Sequence, residues 1–229
     1  MSSFYTRLKI TLGKANADEH AREALKPDYK SSVTLGKNII IAPGSNTPQT
    51  GIILYPGGRC DSRAYVPVMR PLAAAGDLVV IPNMPLRLAV LDANRAGKIM
   101  AEYPDIKRWI IGGHSMGGAM AAAWVFKNPG RVKGLFFIAS YPSGMHALPD
   151  STLPVAMLYG THDFITRKAE FEASYERLPK HTEFTAIEGG DHYQFGSFGN
   201  VGITATISRE EQQRQTIAVL QSFVNRAPY

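Results

Sequence analysis

Residues 109–126 read WIIGGHSMGGAMAAAWVF: an apolar run, a glycine-rich pentapeptide and an alanine-rich stretch in direct succession. The apolar run predicts a buried strand, and residues 118–126 predict a helix. The pentapeptide between them has the pattern Gly-x-Ser-x-Gly, in which a sharp turn lifts the serine hydroxyl above the edge of a sheet. Glycines permit a close backbone approach where a Cβ atom would collide. The stretch therefore predicts a nucleophile elbow with Ser115 at its tip. The alternative is a tightly packed turn in which Ser115 only caps the helix.

Length and composition limit the class of protein. The chain has 229 residues, 45% of them hydrophobic, which is enough for one large core. No linker or repeat divides it, so we expect a single domain over residues 1–229. The longest apolar stretches with almost no charge, residues 78–86 and 117–126, are shorter than the roughly 18 residues that cross a bilayer, so no membrane span is predicted.

Charge and cysteine content indicate where the protein works and what it binds. Residues 1–20 contain no apolar segment or cleavage site of a secretory signal. The single cysteine, Cys60, cannot form an internal disulfide and suits a reducing compartment, so a cytoplasmic protein is favoured. The net charge is +6, but the 25 Lys and Arg residues are scattered along the chain. We therefore expect no nucleic-acid partner, because a phosphate-binding surface requires clustered basic residues.

The order of elements predicts the fold class. Apolar runs of strand length alternate with segments of helical spacing, which is typical of an α/β protein with a mainly parallel central sheet flanked by helices. The predicted strands are residues 38–42, 51–55, 78–81, 109–111, 135–139, 155–159 and 184–187. Ser208 and Glu211 form a capping-box pattern that predicts the start of a last helix.

The N-terminal residues 1–37 give a weaker pattern. Leu8, Ile10 and Leu12 alternate like a strand, whereas residues 15–25 have the composition of a helix. We expect this segment to contribute an edge strand or a covering helix.

Partners for Ser115 are expected at the carboxyl ends of the predicted strands, because ligands bind at that edge of an open parallel sheet. Residues 155–159 are followed by Gly-Thr-His-Asp, ending at Asp163, and residues 184–187 by Glu-Gly-Gly-Asp-His, ending at His192. A serine hydroxyl needs a neutral imidazole to accept its proton, and the imidazole needs a carboxylate to fix its tautomer. The order Ser115, Asp163, His192 therefore predicts a catalytic triad.

His192 is preferred among the histidines because it alone follows the last predicted strand, in a glycine-rich loop that can reach back over the sheet edge. His162 is the second candidate, and an exposed loop histidine is the alternative interpretation of His192. His114 occupies the variable position of the elbow and is expected to point away from the serine hydroxyl.

The acid is chosen by its position in the predicted sheet. Three other carboxylates compete with Asp163: Asp150, Glu188 and Asp191. Asp163 follows a strand by one turn, whereas a carboxylate adjacent to the histidine in sequence normally points elsewhere. The alternative role for Asp163 is to cap the helix that follows it.

Two backbone N–H groups are needed to stabilise an oxyanion. The residue after the nucleophile, Met116, supplies one, and the Pro-Gly-Gly-Arg loop after residues 51–55 supplies the other through Gly58 or Arg59. An ordinary turn is the alternative interpretation of that loop. The Arg59 guanidinium would favour anionic acyl groups if it overhangs the pocket, and would otherwise be solvated. Cys60 is predicted to be a buried packing residue rather than a second nucleophile.

Together these motifs resemble an α/β-hydrolase of the compact dienelactone-hydrolase-like kind, over residues 38–225. The motifs that carry the resemblance are residues 55–58, 113–118, 160–163 and 189–192. The resemblance implies an eight-stranded sheet and a Ser, Asp, His triad, into which Ser115, Asp163 and His192 fall position by position. Dienelactone hydrolases have cysteine at the elbow, so the serine of this chain favours ordinary ester chemistry.

The segment in which many relatives carry a lid is short here. Only residues 140–153 separate two predicted strands, so we expect little or no lid. The site would be open and bordered by four aromatic or apolar residues: Tyr141, Met145, Phe164 and Phe195. An open site suits small or exposed acyl esters.

The sequence therefore predicts a serine hydrolase that cleaves carboxylic esters of small molecules through an acyl-enzyme. This chemistry needs neither a metal nor an organic cofactor. A thioesterase, an amidase or an acyltransferase would use the same residues. A hydrolase-fold binding module without turnover is the alternative from another class.

Overall fold

The structure is a computed structural model and describes residues 14–44, 46–166 and 168–228. In these residues eight strands form one sheet in the order β1-β2-β4-β3-β5-β6-β7-β8. The strands are β1 (Ser31–Leu35), β2 (Asn38–Pro43), β3 (Thr50–Tyr55), β4 (Leu78–Pro82), β5 (Arg108–His114), β6 (Gly134–Ile138), β7 (Val155–Gly160) and β8 (Glu183–Ile187). The pairs β1–β2 and β2–β4 are antiparallel, and the other five pairs are parallel. The predicted mainly parallel sheet and all seven predicted strands are confirmed.

Six helices accompany this sheet in the described part of the chain: α1 (Glu19–Glu23), α2 (Val66–Ala74), α3 (Arg95–Glu102), α4 (Met116–Lys127), α5 (Lys168–Ala173) and α6 (Arg209–Arg226). Short 3₁₀ turns lie at Ser62–Tyr65, Pro85–Arg87, Ala89–Asp92, Gly144–His146 and Tyr175–Arg177. None of the helices in the described ranges is both long and apolar enough to cross a membrane.

Two hydrophobic cores lie on opposite faces of the sheet. Successive strand residues point to opposite faces, so Ile52 of β3 enters the core that includes α2 and α6, and Ile53 enters the core that includes α3 and α4. Every residue of the central strand β5 is buried, as expected for a parallel strand covered on both faces. The sheet therefore holds the carboxyl end of β5, where the elbow begins, in a rigid setting.

The N-terminal region contains both kinds of element expected there. Helix α1 is short and is capped by Asp18, whose side chain accepts a hydrogen bond from the Ala21 N–H. Strand β1 is an edge strand with an exposed pattern, and its sequence SSVTL has too few apolar residues to stand out. The predicted strand at Leu8, Ile10 and Leu12 lies outside the described residues.

The last helix begins where the capping pattern predicts. The Ser208 Oγ accepts a hydrogen bond from the Glu211 N–H at 3.1 Å. The Glu211 carboxylate turns to Arg214 instead of completing the reciprocal bond of a capping box. The inward face of α6 contains buried polar residues as well as apolar ones, among them Gln212. That residue matters for the candidate site.

Candidate active site

Ser115 occupies a strained turn between β5 and α4. Its backbone has φ +52° and ψ −124°, which a residue with a Cβ atom rarely adopts. The turn is tied to the end of β6, because the Ser115 N–H donates to the Ile138 carbonyl at 2.9 Å and the Ser140 Oγ donates to the Ser115 carbonyl at 2.6 Å. The Ser115 side chain makes no capping hydrogen bond to α4. The alternative role as a helix cap is therefore wrong.

The glycines of the elbow are required by close packing of backbone. A Cβ atom at Gly117 would lie 2.1 Å from the Tyr55 carbonyl oxygen, and one at Gly113 would lie 2.4 Å from the Gly117 carbonyl carbon. Real Cβ atoms do not approach backbone so closely. The start of α4 therefore packs directly on the carboxyl end of β3, which brings Ser115 beside the loop that follows that strand.

Asp163 and His192 form a direct hydrogen bond. The distance between Asp163 Oδ2 and His192 Nδ1 is 2.7 Å, and the two side chains are 4% and 6% exposed. Asp163 Oδ1 accepts from the N–H groups of Ile165 and Thr166, each at 2.9 Å. The carboxylate thus both organises the turn at residues 165–166 and contacts the imidazole.

The environment of Asp163 keeps it ionised. Burial alone raises the pKa of this carboxyl, but the hydrogen bond and charge of His192 and the two backbone N–H groups outweigh burial, and the pKa lies below its usual value. An ionised carboxylate can only accept, so His192 Nδ1 carries the proton in this pair. In the neutral form of the ring, Nε2 is then the acceptor.

Three of the competing candidates contact other groups, and the fourth, Asp150, is exposed. The Asp191 carboxylate accepts hydrogen bonds from four backbone N–H groups, those of Tyr193, Gln194, Thr204 and Ala205. Glu188 accepts a hydrogen bond from the Thr161 hydroxyl. His162 lies 3.4 Å from the Thr204 carbonyl. Among these carboxylates of the described chain, only Asp163 is paired with His192.

The residue before His192 is anchored by the last helix. Gln212 of α6 is fully buried, its Oε1 accepts from the Asp191 N–H at 2.9 Å, and its Nε2 donates to the Asp191 carbonyl at 2.8 Å. One amide therefore satisfies both backbone groups of Asp191. Sequence reasoning missed Gln212, and the available signal was a glutamine on the apolar face of a predicted helix.

The His192 ring lies close to the elbow. Its centroid is 4.6 Å from that of His114, the residue that precedes Ser115. Within the part of the chain that the structure describes, no hydrogen bond joins Ser115 to His192. The structure therefore brings Asp163 and His192 together and places the His192 ring beside His114, the residue that precedes Ser115. Catalytic hydrogen bonds are often long without substrate and shorten in the reacting complex.

Backbone contacts separate the two alternatives for the second oxyanion donor. The Arg59 N–H donates to the Arg87 carbonyl at 2.7 Å, so it is not available, and the Arg59 alternative for a backbone donor is wrong. The Gly57 N–H donates to the Tyr65 hydroxyl at 3.0 Å. The Gly58 N–H has no hydrogen-bond partner in the described ranges, and a Cβ atom there would lie 3.1 Å from Met116 Cε. Met116 opens α4, where an N–H has no partner within the helix.

The residues beside this loop differ in exposure. Cys60 is 3% exposed, and burial raises the pKa of its thiol to about 11. It is a packing residue, as predicted, because the reactive form of cysteine is the thiolate. Arg59 is half-buried.

The surface around the site is open, but one of the four residues predicted to border it does not do so. Met145 and Phe164 are exposed, and the segment between β6 and β7 contains only the turn Gly144–His146. The prediction that Phe195 borders the site is wrong, because this ring is fully buried in the core, with its centroid 6.2 Å from that of His114. The chain turns into the core directly after His192, because the N–H groups of Tyr193 and Gln194 both donate to the Asp191 carboxylate. No group of three or more His, Cys, Asp or Glu residues in the described ranges is placed to hold a metal ion.

Burial of His114 makes the folded state sensitive to acid. Burial, followed by the charge of His192, lowers the pKa of His114 to about 3. The unfolded chain binds this proton near pH ~6.5, so stability is present above that pH and is lost as pH falls towards the folded pKa, by up to about 1.4 kcal/mol per unit. Urea unfolding between pH 7 and pH 4.5 should show a shallower pH dependence for His114→Gln than for wild type. Equal slopes would contradict this origin.

Comparison with known proteins defines the family. The sequence model of the Alpha/beta hydrolase family matches residues 51–214, which cover β3 through the first part of α6. The chain therefore belongs to the α/β-hydrolase family. A comparison with curated proteins finds no match.

Solved structures show the same fold at low sequence identity. A predicted CIB-like hydrolase from Thermoplasma acidophilum has a TM-score of 0.62 at 16% identity, over 84% of this chain and 99% of that chain. The esterase domain of a Rhodothermus marinus protein has a TM-score of 0.65 at 13% identity, over 83% and 92%. An S-formylglutathione hydrolase from Agrobacterium tumefaciens has a TM-score of 0.59 at 14% identity, over 89% and 98%. Similarity at this level establishes the fold.

Proposed function

We propose that this protein is a serine hydrolase that cleaves carboxylic esters of small molecules through an acyl-enzyme. The observation that carries the proposal is the 2.7 Å hydrogen bond between Asp163 and His192, buried beside the elbow of Ser115. A carboxylate, an imidazole and a strained serine at the carboxyl edge of a parallel sheet are the parts that acyl transfer requires.

The reaction uses these groups in two half-reactions. Ser115 Oγ attacks the ester carbonyl carbon while His192 Nε2 accepts the hydroxyl proton, and Asp163 holds the imidazole in the accepting tautomer. The carbonyl oxygen becomes an oxyanion, which the N–H groups of Met116 and Gly58 stabilise. The C–O bond to the alcohol then breaks, and His192 returns the proton to the leaving alkoxide. A water molecule then attacks the acyl carbon while His192 Nε2 takes its proton. The bond from the acyl carbon to Ser115 Oγ breaks, His192 returns the proton to Oγ, and the carboxylic acid leaves.

The surroundings of the site favour small or exposed acyl substrates. The segment after β6 is too short to bury a long acyl chain, so small or exposed esters suit it best. One of the structural neighbours is described as an esterase domain, which supports an ester as the substrate. Arg59, in the same loop as Gly58, would bind an anionic acyl substituent through its guanidinium if that group overhangs the site. A buried single cysteine suits a cytoplasmic location.

Labelling with a fluorophosphonate tests the proposal, because the reagent phosphonylates activated serines only. Wild type should be labelled and Ser115→Ala should not. Ser143→Ala is the matched control, since Ser143 also contacts a histidine, His146 at 2.9 Å, but does not lie at the elbow. This variant should be labelled like wild type.

Two results would refute the proposal. One is folded wild type without labelling, which supports a binding module. The other is labelling retained in Ser115→Ala. Rates on matched p-nitrophenyl acetate, thioacetate and p-nitroanilide substrates then separate an esterase from a thioesterase or an amidase, and ester hydrolysis should be the fastest.

A further inference from the structure

Three buried hydrogen bonds connect the loop after β3 to the loop that carries His192. The Gly57 N–H donates to the Tyr65 hydroxyl at 3.0 Å, and that hydroxyl lies 2.8 Å from His114 Nδ1. On the other side of the ring, His114 Nε2 lies 3.0 Å from the His192 carbonyl oxygen. His114 and Tyr65 are 0% and 1% exposed, so water does not compete for these bonds. One chain of hydrogen bonds therefore joins four segments of the protein, which contain Gly57, Tyr65, His114 and His192.

The direction of each bond is fixed by its neighbours. The His192 carbonyl can only accept, so His114 Nε2 carries the hydrogen, and Nδ1 of the neutral ring is an acceptor. Tyr65 must therefore donate its O–H to Nδ1 and accept from the Gly57 N–H. Burial lowers the pKa of His114 to about 3 and raises that of Tyr65, so the ring stays neutral and the phenol stays protonated at ordinary pH.

This chain of hydrogen bonds joins the two groups that the proposed reaction must align, the oxyanion loop and His192. At one end, the bond to Tyr65 occupies the Gly57 N–H, so the next N–H, of Gly58, is the one left for an oxyanion. The space at Gly57 is closed, because a Cβ atom there would lie 2.7 Å from His114 Nδ1. At the other end, the bond from His114 holds the backbone of His192, whose side chain is held separately by Asp163.

We propose that Tyr65 and His114 act as positioning residues: their hydrogen bonds set the distance between the oxyanion loop and the imidazole of His192. The inference rests on the proposed function. Neither side chain touches the reacting atoms. Their effect is on the alignment of Gly58 and His192, and misplacement by about 1 Å costs up to about 100-fold in rate.

Tyr65→Phe tests the proposal with the smallest change. It removes one hydroxyl and leaves the Gly57 N–H and His114 Nδ1 without their partner. The kcat for p-nitrophenyl acetate should fall by about 10- to 100-fold, while KM changes by less than about 3-fold, because alignment matters most in the transition state.

Tyr55→Phe is the matched control for a loss of hydrogen bonds as such. The Tyr55 hydroxyl is also buried, accepts from the Ala96 N–H at 2.6 Å and donates to the Ala93 carbonyl at 2.9 Å. It points into the other core of the sheet. This variant likewise loses one bond that the hydroxyl donates and one that it accepts from a backbone N–H, so its stability should also fall, while its kcat stays within about 2-fold of wild type.

Two substitutions of His114 test the bond to Tyr65 and the bond to the His192 carbonyl separately. They also test the proposal if Tyr65→Phe does not fold. The amide nitrogen of glutamine reaches the place of imidazole Nε2, so His114→Gln can still donate to the His192 carbonyl. The shorter His114→Asn cannot. We expect the kcat of His114→Gln to be at least about 5-fold higher than the kcat of His114→Asn, with a similar KM in the two variants.

The outcomes distinguish this inference from the proposed function. If wild type is neither labelled nor active, the proposed function fails and the positioning role fails with it. If wild type is labelled and active but Tyr65→Phe has the kcat of wild type, only the positioning role fails. It also fails if Tyr55→Phe and Tyr65→Phe lower kcat equally, since the hydrogen bonds would then serve stability alone.

Discussion

Ser115→Ala should lower kcat for ester hydrolysis by about 10⁶-fold, because the remaining residues have no other nucleophile to work with. The fold should be retained. The Ser115 side chain makes no capping bond, and the bonds to Ile138 and Ser140 use its backbone, which alanine keeps. Turnover of p-nitrophenyl acetate and the thermal unfolding midpoint are the two measurements.

Ser143→Ala provides the comparison, with turnover close to wild type. A residual rate in Ser115→Ala within about 100-fold of wild type would exclude Ser115 as the nucleophile. A rate near that of buffer, with an unchanged unfolding midpoint, would leave the hydroxyl as the only explanation.

Asp163→Asn should lower kcat by about 10⁴-fold with little change in structure. The asparagine Oδ1 can still accept from the N–H groups of Ile165 and Thr166, so the turn after β7 is kept. Its Nδ2 then faces His192 and must donate to Nδ1. That bond forces the hydrogen onto Nε2, so the imidazole can no longer accept the serine proton.

The control for this variant is Asp150→Asn, which removes an exposed carboxylate that is not paired with His192 and should leave kcat unchanged. ¹⁵N shifts of the His192 ring report the tautomer directly and should show Nε2 protonated in Asp163→Asn. A kcat within 10-fold of wild type would show that Asp163 does not orient the base.

The parallel strands and the residues at their ends could be predicted from the sequence because both leave local signals. Strands buried on both faces appear as continuous apolar runs, and the runs before Asp163 and His192 locate those side chains at one sheet edge. The structure brings the two within 2.7 Å. Strand β1 was not located because an exposed edge strand needs few apolar residues.

Contacts between distant segments could not be predicted. The choice between Gly58 and Arg59 depends on a backbone bond from Arg59 to Arg87, which belongs to the loop after another strand. The role of Gln212 depends on the rotation of α6 relative to a loop 21 residues earlier. Local sequence patterns contain no information on how distant loops and helices pack against each other. For the same reason the sequence identifies His114 only as the variable residue of the elbow.

The Asp191 carboxylate closes a loop on itself. One oxygen binds the start of the loop at the Tyr193 N–H, and the other binds its end at the Thr204 N–H. The middle of this loop is packed into the protein, because Phe195, Ser197 and Phe198 are buried, whereas Ile203 near its end is exposed. An insertion at residues 202–203 would therefore meet solvent, with Thr204 still fixed by Asp191. We expect such an insertion to leave His192 in place.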